Sequence, residues 1–179
     1  MAEPLATAEP LAGRNIGVLV EDLFEDLELW YPVIRLREAG AHVMLLGTGK
    51  HSYRGKHGLA AEPDAPVSTA APGDFDALVI PGGYAPDRMR RDVALLALVR
   101  GIAELGRPVA FICHAGWVPI SAGIVAGRRV TSVPSIRDDL ENAGAHWEDS
   151  EVVQDGPLIS SRHPGDLPAF CRTLIAALG

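Results

Sequence analysis

Short apolar runs alternate with longer stretches of helical periodicity along most of the chain. Asn15–Val20 (NIGVLV), His42–Leu46 (HVMLL), Asp76–Ile80 (DALVI) and Pro108–Ile112 (PVAFI) have strand length and are rich in Val, Ile and Leu. Such near-continuous runs are the mark of strands buried on both faces. Asp26–Ala39 repeats Leu29, Val33 and Leu36 at helical spacing, with Gly40 as a stop and Pro32 predicting a kink or a late start. Asp92–Leu105 places Val93, Leu96, Val99 and Ile102 on or near one face. After the fourth run the pattern predicts a short helix, a segment at Arg128–Ser132, a helix over Ile136–Ala143 and a hairpin around Asp155-Gly156. Leu167, Phe170, Cys171, Leu174, Ile175 and Leu178 form the stripe of a last helix. Gly47–Ala71, rich in Gly, Pro and polar residues, reads as an extended loop with room for a small hairpin.

Strands alternating with helices imply a mostly parallel sheet covered on both faces. Right-handed crossovers make the flavodoxin-like, doubly wound α/β arrangement its natural form. No polar linker divides the chain, so 179 residues read as one domain over 15–179 behind a mobile tail at 1–14. Composition agrees: 47% hydrophobic and 22% charged residues suit a globular protein. The net charge of -7 argues against nucleic acid as a partner. No apolar run approaches the roughly 20 residues that span a bilayer, which argues against membrane. The tail, MAEPLATAEPLAGR, has neither the basic start nor the apolar stretch of an export signal, which predicts a cytoplasmic protein. Cys113 and Cys171 lack C-x-x-C or zinc spacing, and in a reducing compartment a disulfide between them is not expected.

Ligands of such sheets bind beyond the carboxyl ends of the strands. Three unusual features fall there: Glu25 after the first strand, Gly82-Gly83 after the third, and Cys113-His114 after the fourth. A sharp strand-to-helix turn pushes a side chain into the cleft, and a helix N-terminus lowers a thiol's pKa, so Cys113 is a candidate nucleophile. The competing reading is a core cysteine ending an apolar strand, which is the reading given to Cys171 on its helical stripe. His114 is a candidate base or imidazolium partner, and spacing alone leaves it open against a plain loop histidine. Glu25 lies in an acidic run, Glu21–Glu28, that reads as a solvated first helical turn. The sharper alternative has Phe24 and Leu27 shielding Glu25, raising its pKa so that it donates to the thiolate. Gly82 and Gly83 permit close backbone approach and N–H groups aimed at an oxyanion, although Pro-Gly-Gly often marks only a turn. His42, His51, His57, His146 and His163 show no metal spacing, and neither phosphate-binding nor dinucleotide-binding glycine motifs occur, so no metal or cofactor is expected.

Several stretches, in order, carry a resemblance. They are Phe24-Glu25-Asp26 with Glu28-Leu29 and Tyr31-Pro32, Gly55-Lys56-His57-Gly58, and Phe75–Val79 with Pro81-Gly82-Gly83. Ala85-Pro86-Asp87-Arg88, Ile112-Cys113-His114, Ile120–Gly123, Thr131-Ser132 with Ile136–Asp139, and Ser160-Ser161-Arg162 complete them. Together they resemble the PfpI-type intracellular proteases of the ThiJ/PfpI superfamily. The resemblance implies a flavodoxin-like fold, Cys113 as nucleophile, a mostly protonated Glu25 beside it, and substrate contacts at Gly82, Gly83 and His57. It also implies His114 as a base oriented by a carboxylate of a neighbouring subunit in a dimer or hexamer, a carboxylate that maps onto Asp87, where relatives commonly carry Glu. Ala115-Gly116-Trp117 replaces their usual Gly-Pro, so Trp117 either reshapes the pocket or fills the core. The activity expected first is that of a glutathione-independent glyoxalase or deglycase acting on small reactive carbonyls, in the service of stress protection. The alternatives are a cysteine peptidase using Cys113, His114 and Asp87 across an interface, or a redox sensor or chaperone without turnover.

Overall fold

The computed structural model describes residues 9–179. Among the described residues eleven strands and six α-helices follow one another. The strands are β1 (Asn15–Val20), β2 (His42–Gly47), β3 (Tyr53–Arg54), β4 (Ala60–Ala61), β5 (Ala65–Pro66), β6 (Ala77–Ile80), β7 (Val109–Ile112), β8 (Arg129–Val130), β9 (His146–Trp147), β10 (Val152–Asp155) and β11 (Leu158–Ser161). The helices are α1 (Asp26–Glu38), α2 (Ala85–Met89), α3 (Val93–Glu104), α4 (Trp117–Ala122), α5 (Arg137–Asn142) and α6 (Leu167–Leu178).

Seven strands form one sheet in the order β10-β11-β7-β6-β1-β2-β5. All neighbours in it are parallel except the hairpin pair β10 and β11. From β1 the chain moves outward to β2, then returns to the other side for β6, β7 and β11, which is the flavodoxin-like order. With right-handed crossovers that reversal puts helices on both faces: α1 packs with α6, and α3 with α4. The four central runs are buried along almost their whole length, as two-sided cover requires.

The expected elements appear with small differences. Helix α1 begins at Asp26, well before Pro32, whose ring sits buried inside it. The long loop carries the small hairpin β3–β4 and also β5, which extends the main sheet. The Arg128–Ser132 segment contributes only the two-residue β8, paired with β9 outside the main sheet. Helix α2 has no counterpart in the sequence reading, because at five residues it is too short to show a period. Residues 1–8 of the expected tail lie outside the described residues. In residues 9–14 the chain is anchored at two points: Leu11 is fully buried with its N–H donating to the Ala39 carbonyl, and Arg14 reaches the Leu178 carbonyl at 2.8 Å. The packed chain thus begins before Asn15. No helix among the described residues is long and apolar enough to cross a membrane.

Candidate active site

The topology reverses between β1 and β6, and the carboxyl ends of β1, β6 and β7 meet at that point. Cys113 follows β7 directly at φ 62°, a left-handed conformation that costs a non-glycine residue on the order of 1–2 kcal/mol. A 3-10 turn, Cys113–Gly116, then leads into α4. The turn lifts the side chain off the sheet into a partly open position between buried neighbours.

The carboxyl group against this thiol is that of Glu28, and not of Glu25. Glu25 precedes α1, whereas Glu28 lies one turn in, on the face that also buries Leu29, Pro32 and Val33. Its side chain is fully buried. Gly82 N–H donates to its Oε2 at 2.7 Å, while Oε1 is buried without a hydrogen-bond partner. A buried carboxylate with an orphaned oxygen is costly, and burial raises the Glu28 pKa to about 7, helped by the nearby charge of Glu25. Glu25 instead pairs with Lys56, Oε2 to Nζ 2.6 Å, with His57 Nε2 at 3.6 Å. The next acid, Asp26, anchors the loop carrying both by accepting from the N–H groups of His57 and Leu59, each at 2.8 Å.

The helix start does not yield a low thiol pKa. Burial, and then the charge of Glu28, push Cys113 up to about 12, against the lowering effect of the His114 and Gly83 N–H groups aimed at the sulfur. Glu28 and Cys113 therefore titrate as a pair. An ionised Glu28 keeps the sulfur protonated. A protonated Glu28 removes the repulsion and becomes a donor to it.

His114 does stand beside the thiol, with Nδ1 3.3 Å from Sγ, and Ser135 Oγ lies 3.2 Å from its Nε2. Burial and then the Lys56 ammonium hold its pKa below the ordinary value, which favours the neutral ring. Trp117 packs on that ring with centroids 5.3 Å apart, so it walls the site. Asp87 is elsewhere in its bonding: exposed on α2, it pairs with Arg91 at 3.1 Å, and among the described residues no hydrogen bond joins it to His114.

The two glycines divide their work. A Cβ on Gly82 would lie 2.5 Å from Glu28 Oε2 and 2.8 Å from Cys113 Cβ, so only glycine lets the loop after β6 approach this closely. Its N–H is committed to Glu28, which takes it off the expected oxyanion donors. Gly83, at φ 80°, bridges to Phe24 and keeps its N–H for the sulfur side. The exposed His57 reaches the site through Glu25, with Nε2 3.6 Å from Oε2. Sequence reasoning assigned no role to Glu28, Lys56 or Ser135. Only Glu28 left a usable signal: a glutamate four residues before Pro32 on the stripe that a helix turns to the core. Among the described residues no cluster of three or more His, Cys, Asp or Glu could hold a metal. Cys171 is buried in α6.

Known proteins agree with this architecture. A two-domain protein from Anabaena variabilis, with dj-1/thij/pfpi-like and ferritin-like domains, superposes with a TM-score of 0.91 at 39% identity. The match covers 93% of this chain and 48% of that one, so this chain spans about half of it. A deglycase of Thermococcus kodakarensis is 46% identical over 164 residues, 92% of this chain and 99% of that protein. The protein/nucleic acid deglycase 2 of Escherichia coli is 41% identical over 170 residues, 93% of this chain and 98% of that one. The model of the DJ-1/PfpI family matches residues 14–177, nearly everything the structure describes, and the chain belongs to that family.

Proposed function

We propose that this protein is a cofactor-free enzyme in which Cys113 attacks 2-oxoaldehydes or their adducts, as a glyoxalase or deglycase. The observation that carries the reading is the strained Cys113 held between a buried Glu28 that titrates near neutrality and the Nδ1 of His114. One nucleophile and two groups able to carry a proton at neutral pH are what an internal proton shift between adjacent carbons requires. The deglycase names of relatives at 41–46% identity support the same class.

With methylglyoxal, Sγ bonds to the aldehyde carbon while His114 takes the thiol proton and returns it to the former carbonyl oxygen, giving a hemithioacetal. The N–H groups of Gly83 and His114 face the oxygen as charge develops. Glu28 then moves the proton of the aldehyde carbon to the neighbouring keto carbon, through an enediol, to leave a thioester of lactate. Water, activated by His114, cleaves the C–S bond and restores the thiol. The balance is methylglyoxal plus water to lactate, with no external oxidant or reductant.

The test is lactate formation from methylglyoxal without glutathione by wild type and Cys113→Ala. Turnover that vanishes in the variant supports the reading. Two inactive proteins defeat it, and peptide hydrolysis or oxidation sensing at Cys113 becomes the leading alternative.

A further inference from the structure

A cleft of about 530 Å³ opens outside the carboxyl ends of β1 and β2. Its floor follows from the sheet register. Val20 pairs with Gly47, so the next residues, Glu21 and Thr48, leave the two strands side by side. Lys50 on one side, and Arg88, Arg91 and Asp92 from α2 and the approach to α3 on the other, complete the lining. Crevices beyond the carboxyl ends of parallel strands are where such sheets bind ligands. Among the described residues no hydrogen bond or ion pair joins these six to Cys113, His114 or Glu28. Glu21 is 6% exposed and firmly held. Its Oε1 accepts from Asp22 N–H at 2.7 Å, and its Oε2 accepts from Thr48 Oγ1. Thr48 thus gives its proton to the carboxylate, so Tyr53 OH, 3.1 Å away, donates to Thr48 while accepting the Lys50 N–H at 2.9 Å. This directed chain leaves Glu21 with acceptor capacity alone toward the cleft. Lys50 Nζ lies 2.5 Å from Asp22 Oδ2, and Arg88 Nη1 lies 3.8 Å from the same oxygen, beyond hydrogen-bond reach. Arg91 pairs with Asp87 at 3.1 Å, and Asp92 caps α3 by accepting from Leu95 N–H at 3.0 Å.

We propose that this cleft is a binding site, separate from the thiol, for the phosphate ester of a sugar or another polyol. A singly charged carboxylate would only exchange one ion pair for another, because Asp22 and Asp87 already face Lys50 and Arg91. A phosphate monoester carries about −1.5 to −2 charges at pH 7 and three strong acceptor oxygens, enough to serve Lys50, Arg88 and Arg91 while those pairs persist. Arginine suits it through the fork of parallel N–H donors. Glu21 supplies the other half of the recognition. A buried carboxylate that can only accept repels a bare anion and calls for hydroxyl donors. Inorganic phosphate is therefore disfavoured, and a polyol joined to the phosphate is favoured. The volume lies in the range of small-molecule sites. A sugar phosphate and a nucleotide share this chemistry.

The experiment is calorimetric titration of the full chain with glucose 6-phosphate, AMP, glucose and inorganic phosphate. Size-exclusion chromatography and thermal melts confirm assembly and folding of each variant. At least one of the two esters should bind about 10-fold or more tighter than phosphate or glucose, as a hydroxyl bonded to a carboxylate provides, and the tighter ester names the source. Arg88→Gln should weaken that ester about 10- to 100-fold, as loss of charge-assisted bonds does. Lys50→Gln and Arg91→Gln repeat the test at the other two cations. Glu21→Gln should remove most of the ester's advantage over inorganic phosphate, and Cys113→Ala should bind as wild type does. Esters no tighter than phosphate overturn the proposal, as do three cation variants that bind like wild type. Losses confined to variants whose assembly has changed overturn it too. So does an ester's advantage kept in full by Glu21→Gln, or binding lost in Cys113→Ala, which places the ligand at the thiol. Binding is read without turnover, so this site stands or falls apart from the carbonyl reaction.

Discussion

Replacing Glu28 by glutamine should remove a specific portion of the protein's pH dependence. Glu28 is fully buried, and its pKa stands at about 7 against 4.5 for an unperturbed glutamate. Between those two values the folded chain keeps a proton that the unfolded chain has released. Stability therefore falls as pH rises through that window, because proton binding favours the folded state. The displacement from 4.5 to about 7, at about 1.4 kcal/mol per pH unit, amounts to about 3 kcal/mol. That contribution is fully present below pH 4.5 and lost above pH 7. Glutamine has the same shape, still accepts from Gly82 N–H, and has no proton to lose. The stability of Glu28→Gln relative to wild type should thus rise by about 3 kcal/mol between pH 4.5 and 8, with other titrating groups cancelling in the difference. Urea unfolding at several pH values reads this as a relative midpoint change of about 1–3 M, given the usual urea dependence of 1–3 kcal/mol per molar. A difference that stays constant within about 0.5 kcal/mol would refute a raised Glu28 pKa, and with it a protonated Glu28 as donor to the sulfur.

Two further substitutions address the groups around the sulfur. Lys56→Gln removes a cation that lowers the His114 pKa, so the His114 ring resonances should titrate at higher pH in an NMR series; an unmoved or downward titration would place the ammonium's effect elsewhere. Gly82→Ala puts a methyl group 2.5 Å from Glu28 Oε2 and 2.8 Å from Cys113 Cβ, so both must shift. It should cost about 1–3 kcal/mol of stability by urea titration, as overpacking does, and at least about 10-fold in lactate formation. Wild-type values in both assays would show that the approach is not tight.

The fold was largely legible because its central strands are buried on both faces and so, past the exposed Asn15 and His42 that open two of them, are apolar throughout. Asn15–Val20, His42–Gly47, Ala77–Ile80 and Val109–Ile112 need no alternation to be seen, and Gly or Pro stands near most of their ends. What escaped was short or held from a distance. Helix α2 has five residues and no repeat. Strand β5 exists through its pairing with the end of β2, and β8 through its pairing with β9. Leu11 is buried by contacts across the fold, its N–H bonded to Ala39, which a reading of the tail's own composition cannot register.

The site divides along the same line. Cys113 and His114 are placed by the strand they end, so position in the chain is enough to find them. The glutamate is placed by rotation about a helix axis, where an error of three residues separates a carboxylate paired with Lys56 from the one against the thiol. Glu25 and Glu28 are nearly one turn apart, and both stand in an acidic run that composition treats as a surface. Helical geometry separates them: counting back by four from Leu36 reaches Pro32 and then Glu28, all three buried, while the exposed residues of α1 include Leu27, Tyr31 and Ile34. A carboxyl on the core stripe, with leucine and tyrosine left to the solvent, inverts the usual amphipathic order. The inversion is the physical sign of a buried acid that the helix exists in part to hold, and it is readable wherever a helix follows the first strand of such a sheet.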